Sequence, residues 1–212
     1  MVDTISDNNE PVARHNSREN LERFLSQMIE QPERREAIAL EIAAVFGQDK
    51  AILVLDMSGF SRTTHRHGIV YFLLMIHQMR LLASPCIAKH AGIIVKAEAD
   101  NLFCLFDTVG DAVRAAREIT QRLDTVNLVL PEDRRLYASI GIGYGHVLNI
   151  EDKDLFGNEV NLASKLGEDV AAQGAILLTP QAHANVEDAG IETREEMISI
   201  AGLSLSYYII ER

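Results

Sequence analysis

The sequence predicts an α+β fold: a ferredoxin-like βαββαβ core with additional C-terminal strands and an N-terminal helical extension. Three observations carry this expectation. A short, partly β-branched run at 51–56 is followed by an apolar stretch too long for a strand; two short apolar runs then meet at Ala99 and Asp100; and a second helical segment leads into further strand-like runs. That order is the split βαβ pattern.

Taken in order, residues 1–17 are rich in Asn, Asp and Ser and include Pro11, a composition expected to give a disordered tail. From Arg18 to Phe46 apolar residues recur at helical spacing (Leu21, Phe24, Leu25, Met28, then Ile38, Leu40, Ile42, Val45). Pro32 breaks the pattern and Gly47 stops it, so the extension over 18–47 is two short helices or one kinked helix. Residues 48–212 are expected to form the main domain. AILVLD (51–56) reads as a buried strand ending in the carboxylate of Asp56. IVYFLLMIHQMRLLASPCIAKH (69–90) reads as a helix that Pro85 kinks or ends. GIIVKAEADNLFCLF (92–106) divides around Ala99 and Asp100 as a β-hairpin, and a helix follows over 110–123. LYASIGIGYGHVLNI (136–150) is expected to be a second strand pair, with GIGYG as a hairpin of close backbone approach. FGNEVNLASKLGEDVAA (156–172) has helical amphipathicity, AILLT (175–179) is a strand, and MISIAGLSLSYYIIER (197–212) is a terminal hairpin.

The chain has 31 acidic against 20 basic residues, a formal charge of −11, which disfavours a nucleic-acid duplex or an anionic membrane surface as partner. No apolar run is expected to cross a bilayer and the start lacks a signal-peptide core, so a cytoplasmic location is expected. Cys86 and Cys104 lack paired spacing and read as reduced core thiols.

A ferredoxin-like order sets the end of strand one beside the turn that precedes strand three, making Asp56 and Asp100 neighbours. Two carboxylates about 4 Å apart repel by about 4 kcal/mol at an intermediate effective dielectric, and a divalent cation between them reverses the sign. Taken singly, each aspartate also suits a cap or a turn. Lys96 lies four residues before Asp100, with strand parity matching Glu98 and Asp100. Asn161 and Lys165, at i and i+4, share one helix face, which is equally the pattern of an exposed stripe.

The wider pattern, LDMSGFSR at Asp56, KAEAD ending at Asp100, GIGYG at Gly141 and DLFGNEVNLASK from Asp154, resembles the catalytic segments of class III adenylyl and guanylyl cyclases in order and spacing. The resemblance runs from about Ala51 to Thr179 and makes 48–212 a cyclase-like catalytic domain of the bacterial stand-alone type. It implies conversion of ATP to 3′,5′-cyclic AMP and pyrophosphate. Asp56, Asp100 and the carbonyl of Met57 would bind two divalent ions, Mg²⁺ or Mn²⁺. Backbone N–H groups of Ser58, Gly59, Phe60 and Ser61 would hold phosphate oxygens. Lys96 and Asp154 match the base readers; a donating lysine with an accepting carboxylate suits adenine. Asn161 would orient the ribose and Lys165 would neutralise charge at the reacting phosphorus. The resemblance also implies a homodimer with shared active sites: Asp56 and Asp100 from one copy, Lys96, Asp154, Asn161 and Lys165 from the other.

The chain departs from the family pattern at three points. Lys165 stands where an arginine is usual, and loss of the planar fork is worth one or two powers of ten in rate, about 1.4–2.7 kcal/mol. Ala99 replaces the usual glycine before the second metal aspartate. The segment 146–153 is short, leaving little room for a dimerisation arm, with Lys153 as a stand-in for a phosphate-binding basic residue. The alternatives are a weak or inactive homologue that binds nucleotide as a regulatory module, or a cyclase of another base specificity.

Overall fold

The computed structural model describes residues 15–58, 68–187, 190–200 and 203–211, and the chain divides into two compact units, 1–47 and 48–212. The disorder expected for 1–17 falls, over residues 1–14, outside the described residues. In the first unit α1 (Arg18–Glu30) starts at Ser17, whose hydroxyl accepts from the Asn20 N–H at 3.2 Å. A single 3₁₀ turn at Pro32–Arg34 separates it from α2 (Arg35–Phe46), so of the two arrangements open in the sequence the two-helix form is the one adopted.

The second unit is built on one sheet. Its elements are β1 (Gly47–Met57), α3 (Ile69–Lys89), β2 (Ile93–Glu98), β3 (Asn101–Phe106), α4 (Val109–Asn127), β4 (Ala138–Ile150), β5 (Asp154–Phe156), α5 (Asn158–Lys165), β6 (Ile176–Leu178), α6 (Pro180–Ala184), β7 (Thr193–Ile200) and β8 (Leu203–Ile210). Among the described residues the strand order is β2-β3-β1-β4-β6-β8-β7, with β5 paired to β4. The first four positions are the ferredoxin-like order. β6 joins β4 in parallel, and β8 and β7 extend the sheet as an antiparallel hairpin.

Both faces of the central strands are covered, which is why AILVL is a continuous apolar run rather than an alternating one. Ala51, Leu53, Leu55 and Met57 pack on one face with Met75, Met79 and Cys86 of α3 and with Val113, Ala116 and Ile119 of α4. Ile52 and Val54 lie on the other face with Val147, Leu155, Val160 and Ala163. The register Val54↔Phe103 and Leu55↔Leu102 then sets Asp56 opposite Asn101 and beside the β2–β3 turn. Cys86 and Cys104 are free and buried, and burial pushes both thiols up.

Of the two outcomes open for Pro85, ending α3 is excluded: the helix continues to Lys89, with the proline exposed and with it Leu81, whose carbonyl loses its helical donor and can be solvated. Two expectations are corrected. At 21 residues α3 is also long and apolar enough to cross a bilayer by length and composition, contrary to the sequence expectation, although Phe72, Met75, Ile76, Met79, Ala83, Cys86 and Ile87 are buried in the domain core. Finally, 138–150 is one 13-residue strand rather than a pair. The close approach expected at GIGYG is present without the hairpin: a Cβ built on Gly141 would lie 2.0 Å from the Ala163 carbonyl oxygen, so α5 packs directly on the β4 backbone.

Candidate active site

Strand parity gathers the sequence-predicted residues on the α5 side of the sheet. Asp56 follows Ile52 and Val54 on that face, and Lys96, opposite Phe103, lies on it too, its ammonium 5.9 Å from the Phe103 ring centroid. Asp154 opens β5, and Asn161 and Lys165 lie on α5.

Asp56 is half-buried. Burial pushes its carboxyl up to about 6, reinforced by the negative charges of Asp100, Glu168 and Asp169, while the Met57 N–H it accepts from acts in the opposite direction. Asp56 and Asp100 are thus electrostatic neighbours, as the topology requires. Glu168 and Asp169 were not found by sequence reasoning. Residues 166–170 close α5 with a π-turn, and there Glu168 accepts from Asn101 Nδ2 at 3.1 Å and from Ser164 Oγ at 2.6 Å. Asn101 Oδ1 is buried with no hydrogen-bond partner among the described residues. The i, i+4 spacings of Ser164 to Glu168 and Lys165 to Asp169 were the available signal.

Among the described residues no group of three or more His, Cys, Asp and Glu side chains forms a cage for a metal ion. A carboxylate pair fits a different kind of ion. Magnesium-like cations take one or two protein carboxylates and complete their shell with water and substrate phosphate, and the penalty that the Asp100 charge adds to ionised Asp56 is what such a cation would relieve.

Lys96 Nζ lies 3.2 Å from Asp154 Oδ1 and 2.9 Å from Glu98 Oε1, joining two predicted base readers 58 residues apart in sequence. The hydrogen bond to Glu98 is the main reason the ammonium titrates above its ordinary value, with Asp154 adding to it. Asp154 Oδ1 also accepts the Leu155 N–H at 3.0 Å, and its side chain is 15% exposed, so the carboxylate is fixed in place. Asn161 is exposed, one turn before Lys165, whose ammonium is ion-paired with Asp169.

The phosphate-loop reading is altered at Ser58. Its N–H donates to the Tyr137 carbonyl at 2.9 Å and its hydroxyl bonds Ser139 Oγ, so neither is a free phosphate donor. Gly59, Phe60 and Ser61 lie outside the described residues. The short 146–153 segment consists of the end of β4 and a tight three-residue turn, 151–153, into β5, with Glu151 and Asp152 at positive φ; Lys153 is exposed there, 3.8 Å from Glu151.

No family model matches the chain. A curated protein of Rhizobium meliloti (strain 1021), "Putative adenylate cyclase 3", is 30% identical over 133 residues, 63% of this chain; the chain spans 22% of that protein's length. Among solved structures, an adenylate/guanylate cyclase/hydrolase from Silicibacter pomeroyi superposes with a TM-score of 0.68 at 28% identity, covering 77% of this chain and 96% of that one. The adenylyl cyclase CyaB from P. aeruginosa gives 0.66 at 21% identity over 78% and 96%, a likeness of fold. In fold, and over 133 residues in sequence, the chain is similar to catalytic domains of class III adenylyl/guanylyl cyclases.

Proposed function

We propose that the domain cyclises ATP to 3′,5′-cyclic AMP and pyrophosphate at sites completed by a second copy of the chain. The observation that carries this reading is the Lys96–Asp154 pair. A lysine donor fixed beside a carboxylate acceptor matches the ring nitrogen and exocyclic amino group of adenine, whereas guanine presents the opposite polarity at those positions. Asp56, Asp100 and the Met57 carbonyl would hold the divalent ions, which supply Lewis-acid chemistry at the ribose hydroxyl and the triphosphate. Asn161, exposed on α5, orients the ribose. Lys165 brings positive charge to the reacting phosphate, and to do so it leaves Asp169. The exposed apolar residues Ile69, Val70, Leu73 and Leu74 on α3 support self-association. The substrate makes a cytoplasmic site part of the same reading.

The decisive experiment incubates purified protein with ATP, GTP, CTP or UTP and Mn²⁺ or Mg²⁺ and separates the products. Cyclic AMP from ATP is expected; product from GTP or a pyrimidine nucleotide alone overturns the base assignment. One observation favours a second reading, nucleotide binding without efficient turnover: Lys165, already in place of arginine, is held by a carboxylate. Nucleotide-dependent stabilisation with no product from any triphosphate would establish it.

A further inference from the structure

We infer that Arg80 is a positioning residue for the second metal-binding aspartate: it pins a turn that Ala99 makes conformationally unfavourable. The inference rests on the cyclase reading of Asp100. Ala99 sits at φ +45°, in the left-handed region that a Cβ disfavours and glycine occupies freely. It is the first of only two residues between β2 and β3, so its backbone geometry sets where Asp100 departs from the sheet. Arg80, in the middle of α3, reaches across to this turn, and its Nη2 donates to the Ala99 carbonyl at 2.9 Å. Helix α3 is anchored on either side of that arginine by Met79 and Ala83, 2% and 0% exposed, so the guanidinium is held by a rigid element. The donor therefore acts on the one peptide whose conformation the alanine strains.

On the far side of the turn, Asn101 is tied to Glu168 at 3.1 Å. Asp100 is thus bracketed: Arg80 fixes the residue before it and Glu168 the residue after it. Arg80 touches neither substrate nor metal in this scheme and works through the backbone. A glycine at position 99 would reach the same φ without help, which ties the need for Arg80 to the departure at Ala99.

The test is a double-mutant cycle of Arg80→Ala and Ala99→Gly in the full chain, melted in chelator and then titrated with Mn²⁺. Arg80→Ala is expected to lower the metal-free Tm by about 2–4 °C in the Ala99 background and by less than about 1 °C in the Ala99→Gly background. The Mn²⁺ concentration giving half the maximal thermal shift should rise about three- to tenfold in Arg80→Ala, the ratio to which one hydrogen bond converts, and return near wild type in the double variant. In cyclase assays the loss should fall on metal dependence rather than on the KM for nucleotide. Equal Tm losses in both backgrounds would reduce Arg80 to a surface contact and overturn the inference. Coupling in Tm with an unchanged Mn²⁺ response would overturn the positioning role. A wild type that shows no Mn²⁺ shift at all would remove the cyclase reading of Asp100, and the inference with it, and is told apart from the other outcomes because it appears before any variant is made.

Discussion

Replacing Asp56 by asparagine removes a charge and little else: the amide oxygen can still accept from Met57, and the side-chain volume is unchanged. The folded Asp56 titrates near 6 against an ordinary 3.8. A raised carboxyl contributes stability that is fully present below pH 3.8 and is lost as pH rises through 6, so at neutral pH the ionised group acts against the fold. The rise from 3.8 to about 6 is equivalent to about 3 kcal/mol, and solvent screening of a half-buried group reduces this to about 1 kcal/mol. Asp56→Asn should therefore raise the metal-free Tm at pH 8 by about 3 °C for a domain of this size. The difference between variant and wild type should shrink severalfold by about pH 4, where the aspartate is protonated in the folded chain and about half protonated in the unfolded one. Mn²⁺ at millimolar concentration should stabilise the wild type and not the variant. The assay is a set of thermal melts across pH in chelator, repeated with Mn²⁺. A variant less stable than wild type at pH 8, or an advantage that persists unchanged to pH 4, would refute the electrostatic account of this site.

Lys165→Arg should raise turnover about tenfold by restoring a bidentate grip on phosphate, with nucleotide KM little changed; a fall with the fold intact would show a site tuned around lysine and Asp169. Gly141→Ala should lower the Tm by about 6 °C or more, because its Cβ would have to displace the Ala163 carbonyl 2.0 Å away; a melt within 1 °C of wild type would show that α5 can lift off the sheet. Asp56→Ala and Asn161→Ala, each inactive alone, should recover about a quarter of wild-type activity when mixed under subunit exchange, since half the random dimers are mixed and half of their sites are whole. No recovery despite proven exchange would confine the site to one chain.

The order of elements was legible because each carries its own period: both faces of β1 are covered, so its run is continuous, and α4 is amphipathic and capped by Thr108. The meeting of Asp56 with Asp100 followed from strand order, whereas that of Lys96 with Asp154 was implied by the family resemblance and not by the residues' own spacing. What sequence reasoning missed depended on how chain ends turn. Residues 156–172 read as one helix by amphipathicity, but Gly167 allows close packing against Val54 and Gly141, and α5 closes into the π-turn that brings Glu168 to Asn101. The glycines of β4 suggested a hairpin because glycine commonly marks a turn; here they make room for a helix. Arg80 was invisible for another reason. Its partner is a backbone carbonyl 19 residues away, and a carbonyl leaves no mark in the side-chain pattern.

The direct seating of α5 on β4 has a consequence for control. With carbonyl oxygens of the helix lying where side chains would otherwise intervene at Gly141 and Gly143, no compressible layer separates helix from strand. Asn161 and Lys165 therefore travel with the sheet as one body. In the shared site proposed above, the adjustable coordinate is the rotation of one copy against the other, so a regulator would act by re-seating subunits rather than by bending the element to which the ribose and phosphate contacts are assigned.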